Sequence, residues 1–262
     1  MYSKILHLQI FVLEKKGVFL QGVDFEHVFM RKIVVDFGNT RWKAAIFEGD
    51  MVGKPVSGTD YADLRSWILQ NSDEHTKLGY ASVVASQPMQ QFSNAQEVTA
   101  FSDIPGLLSK YTTQHTLGVD RWCNVAAGKS VLPQEPNFGI IDLGTCIKFE
   151  LVIQNEYLGG AIAPGVAMRF RSMAQGADQL PEVPVSDTIQ VVGDSSMAAM
   201  QVGVQLGVLN EIEGWIQSVK SKYGELPIII TGGDAPKFVK DLKSSFFAVP
   251  ELTLIGINAL LD

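Results

Sequence analysis

The residues best suited to chemistry lie in a short Asp-x-Gly segment that directly follows an apolar run. The segment covers residues 36–40, with Lys43 close behind it and the β-branched run 33–35 before it. A carboxylate such as Asp36 at the end of a buried strand suits a hydrated Mg²⁺, which prefers one or two carboxylates together with substrate phosphates. Gly38 has no Cβ, so backbone N–H groups can approach an anion there. The alternative is an ordinary hairpin turn, because Asp, Gly and Asn are common turn residues.

A second segment repeats the pattern about one domain length later. Residues 33–47 and 140–153 each contain an apolar run, an Asp-x-Gly turn with a Thr close behind, and a second run with strand alternation. This pattern predicts two hairpins and indicates an internal duplication. Two such turns facing each other would hold phosphates from both sides. Residues 231–233 (Thr-Gly-Gly) follow a third apolar run and offer flat backbone to a nucleoside, although alone they could be a simple loop.

A third polar group lies at the start of a predicted helix. Residues 118–121 read Gly-Val-Asp-Arg. A carboxylate such as Asp120 can orient an alcohol or accept its proton during phosphoryl transfer. Arg121 can hold a substrate carboxylate through two parallel N–H bonds. Taken by themselves, however, these residues favour a surface salt bridge with helix capping.

The elements that must position these groups alternate between helices and strands. Helical periodicity predicts helices over residues 61–69, 118–127, 197–216 and 252–261, and short apolar runs predict strands over 81–85 and 228–230. Such alternation favours an α/β architecture. The proline-containing stretch 131–137 predicts a boundary between a first domain, 30–136, and a second, 137–262, with the C-terminal helix packing back on the first domain.

The first 29 residues are expected to be an extension. The apolar run 5–13 is broken by polar residues and precedes its positive charges, unlike a secretory signal. Met30 leads directly into the first strand, so we expect Met30 to be the natural start and residues 1–29 to be non-native or poorly ordered; the alternative is a real N-terminal hairpin.

Composition argues against several classes of protein. The net charge of −7 and the lack of a Lys/Arg cluster disfavour binding to nucleic acid or to an anionic membrane. The two cysteines, Cys123 and Cys146, have no ligand spacing for zinc and cannot form a disulfide scaffold, which favours a reducing cytoplasm. No apolar run reaches the ~18–20 residues that span a bilayer.

Taken together and in order, these motifs resemble the type III pantothenate kinases. The similarity runs from Met30 to near the C-terminus and includes residues 36–40, 118–121, 142–145, 159–165 and 231–233. The resemblance implies an α/β fold of two duplicated actin-like, ribonuclease H-like domains with a cleft between them. It also implies transfer of a phosphoryl group from ATP to pantothenate, the first step of coenzyme A biosynthesis, by a cytoplasmic homodimer.

The resemblance also implies a role for individual residues. Asp120 would be the catalytic proton acceptor, Asp36 would bind Mg²⁺, and Asp142 would bind a monovalent cation, K⁺ or NH₄⁺. ATP would be held by Asp36, Phe37, Gly38, Asn39, Thr40, Arg41, Trp42, Lys43 and Thr145. Pantothenate would be held by Tyr111, Gly118, Val119, Asp120, Arg121 and Ser196.

Some residues depart from the family's usual pattern. Cys146, Lys148 and Glu150 occupy positions where small or hydroxyl residues and an Asp are usual, and Ser196 and Ala177 stand where Thr is common. Lys148 could supply a cation near the phosphates, but the sequence favours a side chain that points to solvent. Two rival functions stay open: a kinase of the same fold with another small acceptor, and a non-catalytic nucleotide-binding regulator.

Overall fold

A computed structural model of the protein describes residues 31–84 and 88–261. The expected N-terminal extension and the expected start at Met30 lie outside these residues. In the described part of the chain, no helix combines the length and the apolar composition that a membrane crossing requires.

The first sheet is built around the first predicted hairpin. Its strands run in the order β3-β2-β1-β5-β6, and β4 also pairs with β2. The hairpin strands β1 and β2 are antiparallel, and β5 lies parallel to β1 on the other side. The strand bounds are β1 Arg31–Phe37, β2 Trp42–Glu48, β3 Met51–Val52, β4 Val56–Gly58, β5 Lys77–Ser82 and β6 Ala95–Glu97. Helix α1, Tyr61–Asn71, confirms the helix predicted from residue 61.

The second sheet repeats this arrangement around the second hairpin. Its order is β12-β11-β8-β9-β10-β7, with β9 antiparallel to β8 and β11 parallel to β8 on the other side. The bounds are β7 Leu108–Ser109, β8 Phe138–Leu143, β9 Cys146–Ile153, β10 Glu156–Pro164, β11 Ile228–Thr231 and β12 Phe247–Ala248. Each hairpin thus has an antiparallel strand on one side and a parallel strand on the other. The two mixed sheets form the predicted α/β fold of two actin-like halves.

Two helices join the sheets through one core. Helix α2, Val119–Val131, and the last helix, α6 Leu252–Ala259, pack together, and their apolar residues share a cluster with residues of both sheets. The contact is so close that a Cβ on Gly256 would lie 1.8 Å from the carbonyl oxygen of Cys123. Only glycine fits there, and this packing holds α2 between the sheets.

The remaining helices surround the second core cluster. They are α3 Val166–Gly176, α4 Ser196–Tyr223 and α5 Ala235–Phe238. Helix α4 begins where the Ser195 side chain accepts a hydrogen bond from the N–H of Ala198, and it ends at Gly224, whose φ of 83° stops the helix.

The strand predicted over residues 81–85 begins earlier than expected. In the structure β5 covers Lys77–Ser82, because its backbone pairs with β1 along its whole length, from Lys77 opposite Lys32 to Ser82 opposite Phe37. Gly79 weakened the apolar pattern in the sequence, but the Leu261 side chain fills the space where its Cβ would be. The predicted domain boundary near residue 136 stays a prediction; β7 lies before it and pairs with β10 after it.

Candidate active site

A cleft of about 550 Å³ lies where the two hairpin turns face each other. This volume is within the usual range for small-molecule sites. The residues around it include Asp36, Gly38, Asn39, Thr40, Arg41, Lys43, Asp120, Asp142, Gly144, Thr145, Cys146, Lys148, Gly232 and Gly233. The cleft therefore brings the two Asp-x-Gly turns, the start of α2 and the Thr-Gly-Gly stretch together.

The two turns meet through their threonines. The hydroxyl oxygens of Thr40 and Thr145 are 3.2 Å apart, within hydrogen-bonding distance. Each turn is closed by its own backbone: the N–H of Gly38 donates to the carbonyl of Arg41, and the N–H of Gly144 donates to that of Cys146. The exposed hydroxyls and backbone of both turns thus face one space, as two hairpins that grip an anion require.

The third turn is fixed against the second hairpin. Gly232 has a φ of 98°, and a Cβ there would lie 2.3 Å from the carbonyl oxygen of Leu143 and 2.6 Å from Oδ1 of Asp142. The N–H of Asp234 donates to that same carbonyl at 2.9 Å. This position requires glycine, and it leaves a bare backbone surface at the floor of the cleft.

Three carboxylates converge at the centre of the cleft. Asp36 and Asp142 are each the last residue but one in the first strand of their hairpin, and Asp120 lies in the first turn of α2. Burial raises the pKa of Asp36 to about 7, with repulsion by Asp120 and Asp142 acting in the same direction and Lys148 and Lys43 opposing it. A negative charge on Asp36 is therefore unfavourable in the protein alone, and a cation beside it would stabilise that charge.

Lys148 lies among these carboxylates, and the interpretation that it points to solvent is wrong. Its Nζ donates to Oδ2 of Asp120 at 2.6 Å and to Oδ2 of Asp142 at 2.8 Å, and the side chain is only 16% exposed. The reason is the hairpin register, which pairs Lys148 directly with Asp142 across β8 and β9. Cross-strand partners share a sheet face, so the lysine must face the cleft.

The first hairpin carries the same pairing but uses it differently. Lys43 stands opposite Asp36 in the register of β1 and β2. Its Nζ, however, pairs with Glu251 at the start of α6, 3.2 Å away. The two halves of the molecule therefore each place a lysine opposite the Asp of the turn. Lys43 bonds to Glu251, which also lines the cleft, whereas Lys148 bonds to Asp120 and Asp142.

Asn124 is a site residue that the sequence analysis missed. It lies one helical turn after Asp120, so both side chains share a face of α2. Its amide donates to Oδ2 of Asp142 at 3.3 Å, and its carbonyl oxygen accepts from the hydroxyl of Thr253 at 2.9 Å. The i, i+4 spacing from Asp120 was the available signal.

Next to the cleft, Arg121 is held by a buried acidic partner. Its Nε and Nη2 donate to the two carboxylate oxygens of Glu150 at 2.6 and 2.8 Å, and Tyr157 donates to Oε2 of Glu150 at 2.6 Å. Its Nη1 approaches the hydroxyl of Tyr111 at 3.4 Å, and the Tyr111 ring stacks on Tyr157. The paired N–H donors of Arg121 that were predicted to hold a substrate carboxylate are thus used largely by Glu150. The sequence identified Glu150 only as a residue that departs from the family's usual pattern.

The other predicted site residues lie outside the cleft. The side chains of Phe37, Trp42 and Val119 are buried in the hydrophobic clusters beneath it. Gly118 caps α2, and a Cβ there would lie 2.6 Å from Oδ1 of Asp120. Ser196 is exposed at the start of α4 and is not among the residues that line the cleft.

Comparison with known proteins identifies a family for the chain. The family model for type III pantothenate kinase matches residues 32–218. A type III pantothenate kinase from Flavobacterium johnsoniae is 36% identical over 233 residues, which cover 86% of this chain and 95% of that protein.

Solved structures share the fold at low identity. A proposed Baf family transcriptional activator from Campylobacter jejuni superimposes with a TM-score of 0.61 at 17% identity, covering 87% of this chain and 96% of that one. A proposed N-acetylmannosamine kinase from Listeria monocytogenes gives 0.50 at 15% identity, covering 88% and 99%. With the family model matching most of the chain and a relative more than 30% identical, the chain belongs to the type III pantothenate kinase family.

Proposed function

We propose that the γ-phosphoryl group of ATP is transferred to the hydroxyl of pantothenate in this cleft. Asp120 is the proposed residue that orients this hydroxyl and accepts its proton. Family membership makes the chain an ATP-dependent pantothenate kinase, which catalyses the first step of coenzyme A biosynthesis. The assignment of roles within the cleft is the proposal. One observation carries it: Asp36, Asp120 and Asp142 converge around the point where Thr40 and Thr145 meet.

In this proposal, the two turns bind the nucleotide. Backbone N–H groups and hydroxyls of residues 38–40 and 144–145 hold the phosphates, and the bare backbone at Gly232 and Gly233 supports the nucleoside. Asn39, Thr40 and Arg41 are exposed at the cleft, as phosphate contacts need to be. Phe37 and Trp42 contribute through the core that holds the turn, since their side chains are buried.

Mg²⁺ fits at Asp36. This carboxylate lines the cleft at a strand end, and its charge is costly until a cation is near. A single carboxylate with substrate phosphates is a usual Mg²⁺ environment. When bound, the ion would neutralise charge on the phosphates. A separate K⁺ or NH₄⁺ at Asp142 fits less well, because Lys148 and Asn124 already donate to that carboxylate.

The chemical step needs only a positioned alcohol and a stabilised phosphoryl group. The acceptor oxygen forms a bond to the γ-phosphorus, the bond to the β–γ bridging oxygen breaks, and ADP leaves with that electron pair. The hydroxyl proton passes to Asp120. Its Oδ2 accepts from Lys148 and its Oδ1 from the N–H of Arg121, but a carboxylate has further lone pairs for the acceptor. Positioning and charge neutralisation supply most of the acceleration.

We propose that the acceptor binds beside Asp120 at the start of α2. Tyr111, Gly118 and Arg121 are the neighbouring residues proposed to contact it, and Val119 packs beneath them. Arg121 has five N–H donors, and its bonds to Glu150 and Tyr111 leave two for a substrate carboxylate.

Ser196 is not among the residues that line the cleft of its own chain. We propose that it contributes to the cleft of a second copy in a homodimer. The α4 face with Gly203 and Gly207, where an added Cβ meets nothing within 4 Å, is our candidate interface. The cytoplasm is the proposed compartment, and both cysteines are free thiols.

The proposal is tested by direct measurement of phosphopantothenate formation. We expect Asp120→Asn to lower kcat by about 10²-fold or more with the fold intact, whereas Asp63→Asn on the exposed face of α1 leaves it unchanged. Near-normal turnover by Asp120→Asn would remove Asp120 from this role. Parallel assays with pantetheine and simple sugars test the rival acceptor, and complementation of cells without pantothenate kinase tests the non-catalytic rival.

A further inference from the structure

The placement of Lys148 bears on the ion requirement of the enzyme. Its ammonium group bonds to Asp120 and Asp142 at once, at 2.6 and 2.8 Å, and these carboxylates are only 20% and 10% exposed. Lys148 thus bridges Asp120, the proposed proton acceptor, and Asp142, the residue at which the family resemblance implies a K⁺ or NH₄⁺ ion.

One oxygen of Asp142 is already occupied by N–H donors. Its Oδ2 accepts hydrogen bonds from Lys148 and Asn124. A K⁺ ion replaces its hydration shell with several oxygen ligands. The N–H donors at Oδ2 would repel such a cation from that oxygen. A lysine ammonium has the charge of K⁺ and the donor chemistry of NH₄⁺.

The lysine also lies between two negative charges. It donates a hydrogen bond to the carboxylate on either side, that of Asp120 and that of Asp142. Without a cation between them, the two carboxylates would repel each other and the incoming triphosphate. Lys43 does not provide this charge at Asp142, because it pairs with Glu251.

We propose that Lys148 is a tethered monovalent cation that occupies the position of a free K⁺ or NH₄⁺ ion, so that this enzyme works without either. The inference rests on the proposed pantothenate kinase function of the cleft. It concerns a positioning residue: Lys148 acts by neutralising and fixing Asp120 and Asp142.

The test is the salt dependence of phosphopantothenate formation. The enzyme is dialysed free of K⁺ and NH₄⁺ and assayed at constant ionic strength in choline, sodium, potassium or ammonium chloride. The product is measured directly by chromatography, since coupling enzymes can themselves require K⁺. We expect wild-type rates to differ less than about twofold among the salts. Activation by K⁺ or NH₄⁺ of more than about tenfold would overturn the inference yet leave the kinase function intact, whereas no turnover in any salt would overturn the function itself.

A second experiment removes the charge of Lys148 by substitution. We expect Lys148→Ala to lose about 10²-fold in choline chloride and to regain at least about tenfold with NH₄⁺, methylammonium or K⁺. Its thermal unfolding temperature should rise with these ions more than with choline, which the wild type should not show, because ligands that bind the folded state stabilise it. A Lys148→Ala enzyme that retains wild-type activity in choline would contradict the inference.

Lys43→Ala is the matched control, since Lys43 stands opposite the other turn's Asp. Its activity should fall by the same factor in every salt. Should a folded Lys148→Ala enzyme be inactive in all salts, the wild-type comparison still decides: K⁺ independence supports the inference and K⁺ dependence refutes it.

Discussion

Glu150 holds Arg121 in a buried two-pronged ion pair, in which both carboxylate oxygens accept an N–H of the guanidinium within 2.8 Å. The two side chains are 0% and 5% exposed. Since the start of α2 carries Arg121 beside Asp120, this pair ties the acceptor end of the cleft to strand β9 of the second sheet.

Replacement of Glu150 by Gln should therefore affect both stability and binding. We expect the free energy of unfolding to fall by about 3–5 kcal/mol, because a buried guanidinium loses its charged partner. The KM for pantothenate should rise, because Tyr111 and Arg121 lose their fixed positions. Urea unfolding and initial-rate kinetics measure the two effects. Glu156→Gln is the control: its pair with Lys110 is exposed and should contribute only about 0–1 kcal/mol. Equal losses in the two variants would contradict this role for Glu150.

Position 232 tests the floor of the cleft. Gly232→Ala places a Cβ 2.3 Å from the carbonyl oxygen of Leu143 and requires alanine at a φ of 98°. We expect a loss of at least about 2 kcal/mol in the free energy of unfolding, together with a higher KM for ATP. Gly233→Ala is the matched neighbour, since a Cβ there meets nothing within 4 Å, and its stability should change by less than about 0.5 kcal/mol. A reversed order in urea unfolding would show that the two turns are not packed as described.

Much of this arrangement could be predicted from the sequence, because neighbouring residues alone identify each turn. Asp36 and Asp142 each follow a buried run and precede a glycine, so their place at strand ends follows from neighbouring residues alone. The position of Lys148 was also within reach, since a short hairpin that pairs Leu143 with Ile147 must pair Asp142 with Lys148. Strand alternation alone does not show which face Lys148 occupies; the register of the hairpin does.

Other features depend on contacts between distant segments and have no local signal. Glu150 is separated from Arg121 by a strand, a turn and most of α2, and only the packing of β9 against α2 brings them together. The same holds for Gly79, which interrupts an apolar run and is nonetheless inside β5 because Leu261 fills its space. Ser196 is a different case. The family resemblance implied that it binds pantothenate, but it is not among the residues that line the cleft of its own chain.

The contact between α2 and α6 predicts contrasting effects of two glycine substitutions. In Gly256→Ala the new methyl group would lie 1.8 Å from the carbonyl oxygen of Cys123, so the helices must separate. We expect a loss of about 1–3 kcal/mol or more. Gly176→Ala, in the exposed last turn of α3, should instead change the stability by less than about 0.5 kcal/mol, because a Cβ there meets nothing within 4 Å. Thermal and urea unfolding measure both changes, and equal losses in the two variants would contradict the close contact of α2 and α6.

Asp36 predicts the Mg²⁺ dependence of the reaction. Of the three carboxylates at the centre of the cleft, Asp120 and Asp142 share Lys148, whereas Lys43 opposite Asp36 pairs with Glu251. Asp36 is therefore the carboxylate best placed for a divalent ion brought by the nucleotide. We expect Asp36→Asn to lower kcat by about 10²–10³-fold and to raise the Mg²⁺ concentration needed for half-maximal rate, because an amide oxygen attracts the ion less than a carboxylate. Titration of Mg²⁺ at saturating ATP and pantothenate measures both quantities, with Asp63→Asn as the control. An unchanged Mg²⁺ curve in Asp36→Asn would move the ion to another carboxylate of the cleft, of which Asp120 is the more exposed and Asp142 the less.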